Sequence, residues 1–273
     1  MSSSAKPFSP AGSARALGYA LLWHSADALA RAANGCLYLA AGFLRQNELQ
    51  AASALRWVNF GVSAAGDAEI GLTPSERRLY LEVLHPADRV LLVGCGTGRD
   101  LIGLCDLGFC VTGIDQAAEL VEIARQNLAR RGLTASVALE RAEDIELHDQ
   151  YDAIVFSNGC YSFLRPSASR VGMLARMKSR LSNGGHVVIA YTAFAKPSEL
   201  SVRLTDISAR LSGADWRPER GDCFSRDHLG RRILRYEHAF RPEEVAAECA
   251  AAGLRGIRDD PGDPPLRFLV AVP

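Results

Sequence analysis

The stretch Val90-Leu91-Leu92-Val93-Gly94-Cys95-Gly96-Thr97-Gly98-Arg99-Asp100 decides how this 273-residue chain folds. Four consecutive aliphatic residues read as a buried strand. Gly94, Gly96 and Gly98 then alternate with other residues, and a helical pattern starts at Gly98. Glycines between a strand and a helix let the backbone turn tightly and approach a ligand, because no Cβ intervenes. Asp115 closes the next strand. A carboxylate there can accept both hydroxyls of a ribose.

Downstream, strands and helices alternate. The pattern predicts strands at 89–93, 110–114, 135–139, 151–156 and 186–191, with helices at 98–107, 117–131 and 167–181. Asn183-Gly184-Gly185 reads as the turn before the fifth of these strands. Repeated strand–helix units imply an α/β, doubly wound, mostly parallel sheet. A strand at 232–240 and a helix at 242–252 follow, then short strands at 254–258 and 266–272. With no helix between them, the last two form a hairpin, so the seven-stranded sheet has an antiparallel last strand. Residues 195–232 read as a polar insertion with one helix near 199–211.

Upstream, residues 1–13 are rich in Ser, Pro, Gly and Ala and read as a disordered tail. Residues 14–72 read as an N-terminal helical lid. Tyr19, Leu22, Trp23, Ala26, Leu29, Ala30, Ala33 and Leu37 form the stripe of an amphipathic helix, with Gly35 placed to break it. Asn59-Phe60-Gly61 and Gly66 read as a loop. Thr73-Pro74-Ser75-Glu76 looks like a capped helix start, opening the main domain at 73–273.

Thirty-one basic residues balance 31 acidic ones. No basic block marks a nucleic-acid partner, although Arg231, Arg232 and Arg235 make a small local cluster. The seven cysteines are scattered, with no Cys-x-x-Cys, which argues against a disulfide framework or a zinc site. Free thiols point to a cytoplasmic protein. Residues 32–44 are uncharged but well short of the roughly 20 residues a membrane span needs. No signal-peptide pattern is visible.

Dinucleotide folds prefer G-x-G-x-x-G. Here the spacing is G-x-G-x-G, and Arg99 takes the sixth place. The run at 90–100, with Val111-Thr112-Gly113-Ile114-Asp115-Gln116-Ala117, resembles the first two motifs of class I, Rossmann-like methyltransferases that use S-adenosylmethionine. The resemblance covers residues 75 to 195. It implies S-adenosylmethionine as cofactor, held by Gly94, Cys95, Gly96, Gly98, Asp115 and Gln116. Arg141-Ala142-Glu143-Asp144-Ile145 matches the segment that cradles adenine, through Ala142 and either Glu143 or Asp144. Residues 151–158 resemble the fourth-strand motif beside the methyl group, ending on Ser157 and Asn158. The family often carries Asp or Glu two residues before the first glycine; here Leu92 stands there.

Ser157-Asn158-Gly159-Cys160 has no Pro-Pro-aromatic continuation, unlike the amino-methyltransferases of DNA bases or protein glutamine. The aspartates of catechol-type enzymes are missing there too, so no metal is expected. The reading is metal-independent methyl transfer to an oxygen, nitrogen or carbon of a small-molecule acceptor. Tyr161 and Tyr191, at the carboxyl edge of the sheet, and His238 are the candidate catalytic residues. His238 shares a strand face with Leu234, Tyr236 and Phe240. His228 is a weaker candidate base. Cys160 reads as packing. Phe60 either stacks over the ligands or packs in a linker. The stripe of the N-terminal helix suits a cover for a small, partly hydrophobic acceptor, a homodimer contact or a membrane-surface helix. A non-catalytic binding or scaffolding protein of this fold and an NAD-dependent oxidoreductase stay open as alternatives.

Overall fold

A computed structural model describes residues 14–57, 67–146, 148–193, 198–226 and 233–273. The expected tail at 1–13, Phe60 with its loop, His228, Arg231 and Arg232 lie outside the described residues.

The strands are β1 (Arg89–Val93), β2 (Cys110–Asp115), β3 (Ser136–Leu139), β4 (Tyr151–Phe156), β5 (Leu181–Thr192), β6 (Asp222–Arg226), β7 (Leu234–His238), β8 (Arg255–Pro261) and β9 (Leu266–Val272). Seven of them form one sheet in the order β3-β2-β1-β4-β5-β9-β8, and β9 alone runs against its neighbours. This is the expected α/β architecture. The register aligns the carboxyl ends that matter: Val93 pairs with Ile114 on one side and Phe156 on the other. Gly94, Asp115 and Ser157 therefore come to one edge of the sheet.

Helices cover both faces, because alternate residues of β1 point opposite ways. Val90 and Leu92 pack with Leu79, Leu101 and Ala124 from α4 (Pro74–Val83), α5 (Arg99–Asp106) and α6 (Ala118–Arg130). Leu91 and Val93 share the opposite core with Met173 and Val245 from α7 (Ser167–Lys178) and α9 (Pro242–Ala251). The capping box at α4 forms: Thr73 Oγ1 accepts from the Glu76 backbone N–H, and the Glu76 carboxylate accepts from the Thr73 N–H.

A third layer covers the carboxyl edge. It consists of α1 (Ala14–Phe43), α2 (Gln46–Ala54), α8 (Glu199–Ser212) and the β6–β7 hairpin, around a core of Tyr38, Leu49, Trp216, Phe224 and Tyr236. A short α3 (Asp67–Ile70) precedes α4. The α1–α8 contact is close enough that a Cβ on Gly42 would sit 1.9 Å from Ser208 Oγ. Thr205 Oγ1 donates to the Tyr38 carbonyl, and Trp216 Nε1 donates to the Leu44 carbonyl.

Three local expectations are corrected. Gly35 does not break α1; the helix runs through it, packed on Leu204. Asn183-Gly184-Gly185 is not a turn before β5 but lies within it, where the pairing with β4 shifts register between Tyr151 and Ala153. Gly185 is needed there because a Cβ would meet the Asp152 carbonyl at 2.9 Å. Strand β6 lies inside the polar insertion, where the sequence predicts only a helix. Its buried Asp222 is held by charge partners rather than by apolar contact, so no hydrophobic alternation announces it.

Candidate active site

The glycine loop is pinned from several sides. The N–H groups of Gly94 and Cys95 both donate to the Ile114 carbonyl, at 2.9 and 3.0 Å. Ser157 Oγ donates to the Gly94 carbonyl, and Asn127 donates to the Thr97 carbonyl. Gly94 and Gly96 both have positive φ, 75° and 54°. A Cβ at Gly94 would also collide with Cys160, whereas one at Gly96 would meet no protein atom. Gly96 thus borders open space. Its N–H donates to Asp115 Oδ2 at 2.9 Å, and Ala117 N–H donates to Oδ1 at 2.9 Å. Burial raises the Asp115 pKa, and those backbone donors offset part of the rise.

A cavity of about 510 Å³ opens beside this loop. Gly94, Cys95, Gly96, Asp115, Gln116, Ala142, Glu143, Ser157 and Asn158 line it. Gly98 does not. It caps α5 with a φ of 96°, and a Cβ there would sit 3.4 Å from Ala124, so its absent side chain serves backbone turn and helix packing. Between the two adenine-segment acids, Glu143 faces the cavity, whereas the Asp144 side chain is 73% exposed beside Arg141. Asn158 holds a positive φ of 38° at the end of β4, a conformation asparagine tolerates better than most residues.

A methyltransferase-domain family model matches residues 90–185. The aklanonic acid methyltransferase of Streptomyces sp. (strain C5) is 31% identical over 159 residues, covering 54% of this chain and 70% of that protein. The chain belongs to the class I S-adenosylmethionine-dependent methyltransferases. The ubiquinone biosynthesis O-methyltransferase of Xanthomonas axonopodis pv. citri (strain 306) is 32% identical over 177 residues, covering 63% of this chain but 65% of its own length. A methyltransferase of Methanosarcina mazei shares the fold, with a TM-score of 0.59 and 21% identity over 74% of this chain and 97% of that one. S-adenosylmethionine is the cofactor of this methyltransferase, and the oxidoreductase alternative falls away.

The three candidate catalytic residues lie behind the cavity wall. Tyr161 is fully buried, and its hydroxyl donates to Glu248 at 2.7 Å. Tyr191 is fully buried, and its hydroxyl donates to Asp259. Burial raises both phenols further from ionisation. His238 Nδ1 lies 2.8 Å from Asp222 Oδ1, inside a charged cluster. The strand alternation expected for β7 holds, but the opposite face looks into the cavity: Arg235 and Glu237 line it, and His238 does not.

Glu219, Asp222 and His238 offer ligand atoms within 4.8 Å of one another. Arginines already supply positive charge there. Arg170 Nη2 lies 3.0 Å from Glu219, and Arg165 Nη2 lies 3.9 Å from Asp222. Burial pushes the Asp222 pKa up, but the hydrogen bond and charge of His238, with Arg165, outweigh it and hold the carboxyl below its usual range.

Sequence reasoning missed the cavity's second charged centre. Leu92 is fully buried in the core and cannot reach a ligand. Arg99 instead bridges two buried acids: its Nη2 lies 2.6 Å from Glu76 Oε1 and 2.5 Å from Asp100 Oδ1. All three line the cavity. Asp100 Oδ2 is buried with no hydrogen-bond partner. Burial drives the Asp100 pKa up to about 6, against the pull of Arg99. The visible signals were Arg99-Asp100 at the start of α5 and Glu76 at the capping position.

Proposed function

We propose that this methyltransferase transfers methyl from S-adenosylmethionine to an oxygen, nitrogen or carbon of a small-molecule acceptor, without a metal. The observation that carries the reading is Asp115 held against the Gly96 N–H at the wall of a cavity of ligand size. The sulfonium supplies a methyl carbon that is already electrophilic. The protein must orient the acceptor, exclude water and accept a proton where the acceptor carries one.

Gly94, Cys95, Gly96 and Gln116 form the backbone cradle, and Asp115 takes the ribose hydroxyls. Ala142 and Glu143 border the adenine, and Ser157 and Asn158 the methyl end. Asp100 takes the place that Leu92 cannot fill, its unpartnered oxygen receiving the α-ammonium group. Calorimetry with S-adenosylhomocysteine tests these assignments together. Asp115→Ala and Asp100→Asn should each weaken binding by about 1–3 kcal/mol, the range for charge-assisted hydrogen bonds. The carboxylate must be ionised to receive the ammonium, so affinity is level above the Asp100 pKa of about 6 and falls as acid protonates it. The loss approaches roughly tenfold per pH unit. Asp100→Asn should remove most of that slope, leaving the part due to Asp115. Unchanged affinity in both variants would return Asp115 and Asp100 to a purely structural role.

Two relatives are named for O-methylation or for an acid acceptor, which favours an oxygen-bearing or acidic small molecule here. All seven cysteines are unpaired, which favours the cytoplasm. Among the described residues, no helix is long and apolar enough to cross a membrane. Between residues 17 and 29, α1 exposes Leu17, Leu21, Leu22, Trp23 and Leu29, which supports a homodimer through the N-terminal helices. Sedimentation should give a dimer, and Leu22→Glu with Trp23→Glu a monomer; a monomeric parent chain would remove this part of the reading.

A further inference from the structure

A second cavity of about 320 Å³ lies under α2, beside the cofactor cavity. The two share Arg56, Trp57, Gln116, Glu143, Phe163 and Leu164, so they adjoin along a common wall. Three aromatic side chains line the second cavity among polar ones that include Gln50, Arg141 and Glu143, and the Arg56 guanidinium lies over the Trp57 and Phe163 rings. Trp57 and Phe163 meet edge to face with centroids 5.5 Å apart, and Tyr236 closes another side.

Arg165 lines this cavity and is 5% exposed. Its guanidinium is held over Trp216 at 4.2 Å and Tyr236 at 5.0 Å from the ring centroids. Its Nε and Nη1 have no hydrogen-bond partner. The nearby carboxylate, Asp222, lies 3.9 Å from Nη2 and is already engaged. Its Oδ1 accepts from Tyr236 Oη, with His238 Nδ1 2.8 Å away, and its Oδ2 accepts from the Glu219 N–H. A buried guanidinium with unmade hydrogen bonds is unfavourable unless an anion or acceptor meets it. The stacking on two rings fixes the group in place, so it is not free to swing out to solvent.

We propose that this second cavity binds the acceptor and that Arg165 recognises a carboxylate on it, making the substrate a planar aromatic carboxylic acid. Trp57, Phe163 and Tyr236 flank the ring, the guanidinium takes the acid, and the common wall adjoins the cavity that Asn158 lines. The proposal deepens the methyltransferase reading and rests on it.

The test uses the purified full chain saturated with S-adenosylhomocysteine. Binding of S-adenosylhomocysteine is measured first, because its failure would strike the cofactor assignment and not the acid site. Benzoate, salicylate, 2-naphthoate and anthracene-2-carboxylate are then titrated, each against its neutral amide. At least one acid should bind roughly tenfold or more tightly than its amide, the difference a charge-assisted hydrogen bond makes. Arg165→Met should abolish that preference while leaving S-adenosylhomocysteine affinity unchanged, and Arg165→Lys should keep part of it. Equal binding of acids and amides, or no binding by any acid to a chain that binds S-adenosylhomocysteine normally, overturns the proposal. The comparison of acid with amide on the parent chain needs no variant to fold.

Discussion

Arg170→Met should lower the free energy of unfolding by about 3–5 kcal/mol, the penalty for breaking a buried ion pair by removing one partner. Arg170 is 1% exposed, so water screens its contacts little. Its Nε and Nη2 both meet Glu248, with Nη2 2.7 Å from Oε1. Nη2 also reaches Glu219 at 3.0 Å, and Nη1 donates to the Leu164 carbonyl at 2.9 Å. Methionine replaces the packing of the arginine stem but leaves two acids without their cation. Tyr161 and Ser167 would still donate to Glu248, which keeps the loss below that of an isolated charge. Urea denaturation should show a lower midpoint with an unchanged slope. A change under about 1 kcal/mol would mean that solvent reaches the group and that the pair behaves like a surface one.

That network explains why the fold was legible and the chemistry was not. The strand–loop–helix at 89–106 and the following strand–helix units follow from local patterns: apolar runs, turn glycines and a capping box. Asp115 belongs to that class too, because the strand register fixes where its carboxylate sits. Tyr161 is different. Its position at the sheet edge was correct, but its hydroxyl is taken by Glu248, 87 residues away. His238 is likewise claimed by Asp222 from the neighbouring strand of a hairpin whose first strand carries little apolar signal. A sequence shows which polar groups are near an edge. It does not show which of them a distant charge has already engaged. Asp100 is the converse case. An acid in the first turn of a helix is ordinary, and only burial without a full set of partners marks it out.

With Tyr161, Tyr191 and His238 committed elsewhere, a side chain that takes a proton from the acceptor would come from the cavity lining. Burial pushes the Cys160 thiol far above its usual range, and its Sγ already donates to the Val93 carbonyl. Glu76 is bound to Arg99 and to the Thr73 N–H. Asp263 accepts from Ser75. Glu237 is left. It is 7% exposed, faces the cavity from β7 and pairs with Arg235 on the same face. We therefore expect Glu237→Gln to lower kcat by about 10²-fold or more for an acceptor that must lose a proton, the usual scale of general-base help. KM for the acceptor and affinity for S-adenosylhomocysteine should stay near those of the parent, because the amide keeps the size and polarity of the wall. Glu237→Asp should retain more activity than the amide, since it keeps a carboxylate on a shorter arm. A chelator should leave the parent rate unchanged if no metal takes part. A fall in kcat matched by Glu237→Asp and Glu237→Gln alike, with lost cofactor affinity, would assign Glu237 to holding the β6–β7 hairpin in place rather than to accepting the proton. An undiminished rate in Glu237→Gln would leave the acceptor's proton to bulk water. The lid would then serve only to hold the two ligands together.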